Sequence, residues 1–423
     1  MGRSPQPRCP LPFVLALLLW SCDAETTPVE ADDDLDDDGY SVVLGDCDDT
    51  DSSVHPLADE WCDGVDNDCD RVVDESSALD AQVFWQDLDG DGYGDATVTV
   101  TACSVPEGHV QDATDCDDDD ADIHPAAEEI PCNAILESCT GQDGDRIVPD
   151  QYAVLQDAIS DATPGETICV YEGTYDAVTI DRALTLIGMQ GAGRTEIDGD
   201  DGPAVHVEAV SGVTLIGLSF TDGDAEAGGG LLVEYSSDIV VEDCIFTENE
   251  AEQGGAMAVR SSEDVTIRGA IFVRNQAVSG GGISVWNSQD VALEGCEFES
   301  NGADEGGGAV DVANSLRVDL SDLRLDDGAA AQGGGLKAVM SGVSLDTVTI
   351  TGNVADHGGG LYLEQSALTA TAAQVNDNQA VGTSKLPAAG GGLYAIGGSV
   401  ELSGLSFSGN SPDDTSCNST SGC

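Results

Sequence analysis

Two short segments near the N-terminus place aspartates at alternate positions and follow them with glycine. The first contains Asp34, Asp36, Asp38 and Gly39, and the second contains Asp87, Asp89, Asp91 and Gly92. Alternate carboxylates in a tight loop converge hard oxygen ligands on one cation, and glycine at the sixth position permits the sharp turn. The two loops are therefore predicted to bind Ca²⁺.

The ligand sets of these loops are incomplete. Gly45 and Val98 stand where a bidentate glutamate is usual, so further ligands must come from elsewhere or from water. The Asp-Cys-Asp-Asp segments at 46–49 and 115–118 are candidates. The competing interpretation is an acidic spacer that is merely solvated.

A third acidic loop follows the first. It contains Asp66, Asp68, Asp70 and Asp74 as candidate metal ligands. Arg71 occupies the position where glycine is expected, which weakens the prediction. The counterpart positions in the second copy, Leu136, Ser138 and Thr140, carry no acid. His55 and His124 each precede proline, and we expect a packed turn there more than a transition-metal ligand.

These motifs belong to two diverged copies of one pattern. Cys47 and Cys116 are 69 residues apart, as are His55 and His124. The sequence therefore predicts two acidic metal-binding modules, at residues 22–78 and 79–145. The stretch resembles the metal-binding repeat of exported proteins from myxobacteria and, more loosely, thrombospondin type 3 repeats. The resemblance implies that the modules bind metal.

The net charge and the cysteines restrict the partners and the compartment. The formal charge is −68, with 81 acidic and 13 basic residues. Nucleic acid and anionic membrane surfaces are poor partners for such a chain, whereas cations are favoured. Of the 14 cysteines, Cys9 lies in the predicted signal and Cys22 at its end. The remaining 12 are an even number, which is typical of disulfides in an exported protein, with the pairing left open.

The first 21 residues have the features of an export signal. Arg3 and Arg8 precede a short apolar segment that ends at Trp20-Ser21-Cys22. This end resembles the bacterial lipobox, which implies that residues 1–21 are removed and that Cys22 carries a lipid. We therefore expect a protein anchored by its lipid in the bacterial cell envelope, at the outer membrane or cell surface rather than the inner membrane.

From about residue 146 the chain is rich in glycine and apolar residues, and it repeats. Glycine pairs or triplets begin at 228, 254, 280, 306, 333, 358 and 390. A period of about 26 residues with short alternating segments predicts an all-β fold, a parallel β-helix over residues 146–411 followed by a Ser/Thr-rich tail at 412–423. We expect about nine coils of three strands each.

Residues that recur in register should stack on one another. The predicted ladders are Phe246, Phe272 and Phe298 inside the helix, and Asn249, Asn275 and Asn301 at a turn. Cys244 and Cys296 recur two coils apart, too far for a disulfide, and are predicted to be buried free thiols. Cys417 and Cys423 could pair with each other.

Two families share these features. The segment Leu155–Gly188, with Leu-Gln-Asp-Ala-Ile and Glu-Gly-Thr-Tyr, resembles the N-terminal coil of pectin-lyase-like right-handed β-helices, in which a short amphipathic helix caps the open end. Phe-Thr-Glu-Asn at 246–249 and Phe-Val-Arg-Asn at 272–275 resemble the repeats of polymorphic outer-membrane adhesins. Both resemblances imply a right-handed coil.

The outward positions after the glycines provide a candidate ligand face. It consists of Arg260, Trp286, Lys337, Tyr362 and Tyr394. Asp311 falls nearby on a nominally inward position, which suggests that its coil shifts phase there, and no catalytic constellation is apparent. We therefore predict a calcium-binding lipoprotein that acts as an adhesion, ligand-binding or structural β-helix, with a polysaccharide or another surface component as the expected partner. The alternative is a polysaccharide lyase or glycoside hydrolase.

Overall fold

The computed structural model describes residues 33–141, 143, 146–383 and 387–417. The predicted signal segment and Cys22 lie outside the described residues. The chain forms two compact units that divide between Pro125 and Ala126. Residues 126–145, which the sequence assigns to the second module, thus group with the β-helix.

The first unit contains little regular structure. A 3₁₀ helix spans Val42–Leu44, and strands Gln82–Gln86, Asp95–Ala102 and His109–Val110 form an antiparallel sheet. Disulfides join Cys47 to Cys69 and Cys62 to Cys103. With so few strands, these cross-links stabilise a unit that has only a small apolar core.

The second unit is a parallel β-solenoid, as the sequence predicts, and it has about ten turns where about nine were expected. Its strands form four sheets, which we number in the order in which each coil passes through them. Sheet 1 consists of Val178–Ile180, Val205–Glu208, Leu231–Glu234, Met257–Arg260, Ile283–Trp286, Val310–Ala313, Leu336–Val339, Leu361–Glu364, Leu393–Ile396 and Thr415–Cys417. Sheet 2 consists of Arg146–Val148, Glu166–Val170, Leu184–Gly188, Ser211–Ile216, Ser237–Glu242, Glu263–Arg268, Gln289–Glu294, Leu316–Ser321, Gly342–Asp346, Ala367–Thr371 and Ser399–Val400.

The other two sheets complete the coils. Sheet 3 consists of Gly173–Asp176, Thr195–Asp198, Ser219–Thr221, Ile245–Thr247, Ile271–Val273, Glu297–Glu299, Arg324–Asp326, Thr349–Thr351, Ala373–Asn376 and Leu405–Ser408. Sheet 4 consists of Asp224–Ala227, Glu250–Gln253, Gln276–Ser279, Gly302–Gly306, Ala329–Gln332, Val354–His357 and Gln379–Ala380. A short 3₁₀ helix spans Leu402–Gly404.

Sheet 4 corrects the prediction of three strands per coil. Its strands carry acids, glutamine and alanine, which have low β-propensity, so the alternation is weak in the sequence. Small buried residues such as Ala251 and Ala355, which are 6% and 1% exposed, are the apolar signal of these strands. The fourth strand folds each coil into a corner against sheet 1.

The N-terminal end of the solenoid is covered by a helix. Leu155–Asp161 is helical and buries Leu155, Ala158 and Ile159 in the same core as the first coils. A short amphipathic helix was expected at this place from the resemblance to pectin-lyase-like proteins, and the structure confirms it. A disulfide from Cys132 to Cys169 links the segment before the helix to sheet 2.

The glycine spacing hides a change of register. Strand Gly302–Gly306 pairs irregularly with both neighbours in sheet 4, so one coil has an extra residue. The structural equivalent of Gly280, which has φ +70°, is therefore Gly307, with φ +67°, and not Gly306. Both glycines adopt the left-handed conformation that starts the turn into sheet 1.

The predicted phenylalanine ladder is confirmed and starts one coil earlier. Successive ring centroids from Phe220 to Phe298 lie 4.7, 4.8 and 4.4 Å apart. These rings are fully buried or nearly so. Later coils place Leu325, Ile350 and Val375 in the same row. The row therefore requires an apolar side chain of suitable size and does not require an aromatic ring.

The asparagine ladder is confirmed as well, and its hydrogen bonds explain the recurrence. The Asn275 Oδ1 accepts from both the backbone N–H and the Nδ2 of Asn249, each at 3.0 Å. Its Nδ2 donates to the Phe246 carbonyl at 3.0 Å. The amide therefore satisfies buried backbone groups of the neighbouring coil, which glutamine or serine at that place could not reach in the same way.

A serine ladder runs along a second turn and was not predicted. The backbone N–H of Ser236 donates to Ser262 Oγ and that of Ser262 donates to Ser288 Oγ, at 3.1 and 3.2 Å. Each hydroxyl also donates to a carbonyl two residues back, as Ser262 does to Arg260 at 2.9 Å. Serine is too common in turns for this recurrence to stand out in the sequence.

The cysteines of the solenoid fall where the period places them. Cys244 and Cys296 are buried and free, as predicted, and burial raises the pKa of Cys244 to about 12 and that of Cys296 to about 11. Cys417 is disulfide-bonded, and Cys423 lies outside the described residues. Within the part of the chain that the structure describes, no helix is long and apolar enough to cross a membrane.

Replacing one rung of the asparagine ladder should destabilise the solenoid strongly. Asn275→Ala leaves the buried Asn249 N–H without its acceptor and removes the side-chain donor to the Phe246 carbonyl, so we expect a loss of about 3 kcal/mol in the free energy of unfolding. Asn376→Ala is the matched control, because Asn376 lies outside the ladder and its Oδ1 accepts only from the exposed Ser408 hydroxyl, at 2.9 Å. It should change stability by less than about 0.5 kcal/mol. Equal losses in urea denaturation would contradict the role of the ladder.

Candidate metal centre

The first acidic loop closes on itself through its own side chains. Asp34 Oδ2 accepts from the backbone N–H of Gly39 at 2.9 Å, and Asp38 Oδ1 accepts from Tyr40 at 2.8 Å. Gly39 has φ +103°, which a side chain rarely tolerates. These bonds fold the loop so that Asp34, Asp36 and Asp38 each offer an oxygen within 4.8 Å of the others.

A second segment completes this cluster. Asp46 and Asp49 are buried, with 4% and 8% exposure, and Asp49 Oδ1 accepts from the Leu35 N–H at 3.4 Å. Their segment was the sequence candidate for additional ligands, and the structure places it beside the loop. We name Asp34, Asp36, Asp38, Asp46 and Asp49 the first centre.

The first centre contains carboxylate oxygens that no protein group satisfies. Asp34 Oδ1, Asp36 Oδ2, Asp38 Oδ2 and Asp46 Oδ2 are all buried without a hydrogen-bond partner. Desolvation, together with the charges of Asp38, Asp46 and Asp34, raises the pKa of Asp36. Four converging oxygens of like charge are unfavourable without a cation, and they fit a hard cation well.

The second loop repeats this arrangement. Asp91 Oδ1 accepts from Tyr93 at 2.8 Å, and Asp118 Oδ1 accepts from Leu88 at 3.0 Å, as their counterparts do in the first centre. Asp89 Oδ2, Asp91 Oδ2 and Asp115 Oδ2 are buried without partners. Desolvation and the neighbouring carboxylates raise the pKa of both Asp89 and Asp118. The second centre comprises Asp87, Asp89, Asp91, Asp115 and Asp118.

The two centres differ in the length of chain between the acidic loop and the Asp-Cys-Asp-Asp segment that completes it. In the second copy, strands Asp95–Ala102 and His109–Val110 are inserted there. Asp115 nevertheless lies close to the loop, because it forms an isolated parallel β-bridge with Asp95. The insertion explains why the first copy lacks a counterpart for the segment around Cys103.

The third loop forms despite Arg71. The Arg71 N–H donates to Asp66 Oδ2 at 2.9 Å, as Gly39 does to Asp34, and Arg71 adopts φ +81°. Asp66, Asp68 and Asp70 each offer an oxygen within 4.8 Å of the others. The arginine thus takes the backbone conformation of the missing glycine at a cost in strain.

Two glutamates that the sequence analysis did not single out join the third loop. Glu60, Asp68 and Glu75 bring oxygens within 4.8 Å of one another, and Glu75 Oε2 is buried without a partner. A backbone hydrogen bond lowers the pKa of Glu75, but desolvation and the charge of Glu60 outweigh it and raise that pKa. Asp74, the remaining predicted ligand, is tied to this cluster: its backbone N–H donates to Glu60 Oε1 at 3.2 Å, while its Oδ1 accepts from the Gly64 N–H at 2.9 Å.

The histidines pack against tyrosines. Tyr40 stacks on His55 and Tyr93 on His124, each with ring centroids 5.1 Å apart. The tyrosine follows the loop glycine in both copies, so each stack holds a loop against the segment that completes it. The two histidines therefore pack against tyrosine, as the sequence analysis expected for His-Pro turns. The two centres offer oxygen ligands only.

The candidate ligand face divides into two rows on sheet 1. Lys337, Tyr362 and Tyr394 pair in register in one row, and Arg260 and Trp286 pair in another. Trp286 is 45% exposed, whereas Tyr362 is only 3% exposed. The face predicted from sequence is therefore not one continuous exposed stripe, since sheet 4 covers the first row.

Asp311 belongs to the row of Lys337. The two residues pair in register, so Asp311 lies in the outward row and the phase shift suggested by the sequence is confirmed. The nominally inward position came from counting from Gly306 instead of Gly307, the true turn residue of that coil. Arg260, in the other row, donates to Gln253 Oε1 at 3.0 Å.

The comparisons with known families agree with the two kinds of unit. The family model "Right handed beta helix region" matches residues 164–323 and 203–411. A model described as "Putative metal-binding motif" matches residues 46–75 and 115–145, which begin at Asp46 and Asp115 of the two centres. No curated protein matches the chain.

Solved structures with a similar fold are distant. An alginate lyase from Paenibacillus is 13% identical, with 64% of this chain and 96% of that chain covered and a TM-score of 0.37. The pectate lyase Pel9A is 15% identical, covering 67% and 82%, with a TM-score of 0.38. A mannuronan C-5 epimerase module from Azotobacter vinelandii is 15% identical, covering 66% and 99%, with a TM-score of 0.33. At these values the similarity carries no argument about activity.

The strained arginine gives a direct test of the third loop. Arg71→Gly should raise the free energy of unfolding of the first unit by about 1 kcal/mol, because glycine adopts positive φ without the steric cost of a side chain. Gly39→Ala is the reciprocal change and should lower it by a similar amount, since a Cβ there meets no atom within 4 Å and only the backbone is strained. Urea denaturation in a metal chelator, followed by Trp61 and Trp85 fluorescence, measures both. A loss of stability in Arg71→Gly would contradict the loop geometry.

Proposed function

This chain belongs to the right-handed β-helix family, and from that premise we propose that it is a calcium-binding lipoprotein of the bacterial cell envelope. Its β-helix acts as an adhesion, ligand-binding or structural rod, and its acidic modules lie between lipid and rod in the sequence. The observation that carries the calcium assignment is the set of seven buried carboxylate oxygens without partners in the first and second centres.

The donor set favours Ca²⁺ over other metals. Both centres offer carboxylate oxygens alone, which suit hard cations and not zinc or copper. The nearby histidines are stacked on tyrosines, and Cys47, Cys69 and Cys116 are disulfide-bonded. Mg²⁺ keeps several waters and prefers few carboxylates, whereas Ca²⁺ accepts many protein oxygens in flexible geometry. When bound, the cation would offset the desolvation and the repulsion that together raise the pKa of Asp36 and Asp89.

Exchanging one carboxylate of the first centre for an amide tests calcium binding. Asp36→Asn removes a charged ligand, and we expect the affinity of that site for Ca²⁺ to fall at least about tenfold, a change of about 1.4 kcal/mol. Asp37→Asn is the matched control, because Asp37 lies in the same loop and is exposed outside the cluster. It should change the affinity less than about twofold.

Isothermal titration calorimetry of the disulfide-intact mature chain measures both variants, with Mg²⁺ and Cu²⁺ as competing ions. In parallel, a chelator should increase protease cleavage within residues 33–141. The absence of Ca²⁺ uptake, or a protease pattern that the chelator leaves unchanged, would exclude the calcium assignment.

The remaining part of the proposal concerns the anchor. The Leu-Trp-Ser-Cys sequence at 19–22 supports lipid attachment at Cys22, and the disulfides support an oxidising compartment. The charge of −68 argues against nucleic acid as a partner. Polysaccharide or another surface component is the proposed partner of the rod.

Lipid attachment is tested in a bacterium that exports the chain. Cys22→Ser should abolish incorporation of a clickable palmitate analogue and release the protein from the membrane fraction. Cys9→Ser makes the same exchange inside the signal segment and should leave both unchanged. If the native chain incorporates no lipid, the anchor is wrong, and the calcium experiment stands independently.

A further inference from the structure

The corner between sheets 1 and 4 contains a charged cluster that the metal centres do not use. Asp311, Lys337, Tyr362 and Tyr394 follow one another in register on sheet 1. Sheet 4 contributes Ser279, which is near enough to Asp311 to lower the pKa of its carboxyl, and His357, whose ring stacks on Tyr394 with centroids 5.3 Å apart. We name Asp311, Lys337, Tyr362, Tyr394 and His357 the corner cluster.

The repeat itself provides the comparison for this cluster. In the three preceding coils the same register position holds Leu232, Ala258 and Ser284, which are 9%, 0% and 7% exposed. Small or apolar residues therefore fill the corner without difficulty. A buried ion pair is often no more stable than apolar residues of similar volume. The solenoid does not need Asp311 and Lys337 for its fold.

Asp311 is unusual among the residues that the structure describes in 146–417. It is the only carboxyl or basic side chain there that is more than nine-tenths buried, with 6% exposure. Its Oδ2 lies 3.8 Å from Lys337 Nζ, while its Oδ1 is buried without a partner. Burial outweighs the lysine charge and raises the pKa of Asp311 to about 6. An unsatisfied acceptor in such a place calls for a donor from outside the chain.

The backbone is adjusted to make room for the lysine. The Lys337 side chain lies across Gly306, where a Cβ would come within 2.2 Å of its Cδ. Gly306 ends the irregular strand that carries the extra residue of this coil. Irregular strands of this kind often re-aim a side chain beside a functional site. Here the irregularity leaves the ammonium over the carboxylate at the corner.

Further groups at the same corner can contact a ligand. His357 Nδ1 is buried without a partner. The Tyr362 and Tyr394 rings are stacked with centroids 5.5 Å apart. Burial raises the pKa of Tyr362 to about 12, so its hydroxyl stays protonated, and it donates to Glu364 Oε2 at 3.3 Å. The corner thus combines an aromatic surface with donors and acceptors of both kinds, as small-ligand sites do.

The charges indicate which chemical class would fit. Asp311 and Lys337 balance each other, and the chain as a whole repels polyanions because of its charge of −68. A cationic ligand would be repelled by the Lys337 ammonium at close range. An uncharged ligand with many hydroxyls can donate to Asp311 Oδ1, accept from Lys337 Nζ and pack its C–H face on the half-buried Tyr394 ring.

We propose that the corner cluster is a binding site for an uncharged saccharide. Lys337, whose side chain is 14% exposed, covers the carboxylate and turns toward a sugar hydroxyl when the ligand enters. This inference refines the ligand-binding part of the proposed function and is independent of the metal centres.

Calorimetry with defined oligosaccharides tests the site. The calcium-saturated mature chain is titrated with maltohexaose, cellohexaose, xylohexaose and N-acetylated chitohexaose, and with hexagalacturonate as the anionic comparator. We expect at least one uncharged probe to bind with a Kd below about 1 mM. The Asp311→Leu/Lys337→Leu variant, which reproduces the residue type at Leu232, should weaken that binding at least about tenfold.

Two further variants separate the site from stability. Arg268→Leu/Glu294→Leu removes an exposed ion pair of 2.9 Å on sheet 2 and should bind as the native chain does. The corner double variant should keep or raise the unfolding midpoint, since apolar residues occupy this row elsewhere. If that variant folds poorly, Asp311→Ser, which introduces the residue type that Ser284 provides at this position in the preceding coil and withdraws the carboxylate, should show the same loss of binding.

Several results would overturn the proposal: no uncharged probe binds, hexagalacturonate alone binds, or the corner double variant binds as tightly as the native chain. None of these results would affect the calcium assignment, which the titration of Asp36→Asn decides.

Discussion

The hydrogen bonds between successive coils are the interaction on which the rest of the solenoid depends. A single coil has too few apolar residues to form a core, so each strand relies on the strand one period away. The ladders follow from this constraint. A side chain that bonds its own equivalent, as Asn275 does with Asn249, must recur at the same position in each coil. The stacked phenylalanines meet the same condition by shape alone.

The acidic unit obeys the opposite constraint. Its carboxylates converge at Asp36 and Asp89 although like charges repel, and desolvation together with that repulsion raises the pKa of both residues. Disulfides and loop hydrogen bonds hold the groups together while leaving one oxygen of several aspartates unsatisfied. In the proposed function a cation completes this unit, in the way that neighbouring coils complete each other in the solenoid.

Those two constraints decide how much the sequence could predict. The period, the phenylalanine and asparagine ladders and the buried thiols were predictable because stacking forces recurrence of residue types. The first two metal loops were recognisable because their ligands lie within one local motif. Glu60 and Glu75 escaped notice because they reach the third loop only through tertiary contacts. The fourth sheet was missed because its strands pack small residues and lack clear alternation.

Asp311 illustrates why a repeat is most informative where it is broken. Glycine counting placed it inside the helix, and only the register of Gly307 with Gly280 returns it to the outward row. Once the register is correct, Leu232, Ala258 and Ser284 define what the fold alone requires at that position. The fold therefore does not require a buried carboxylate and a lysine in this row. Because stacking favours the same residue type in successive coils, an energetically costly exception such as Asp311 indicates selection for a property other than the fold.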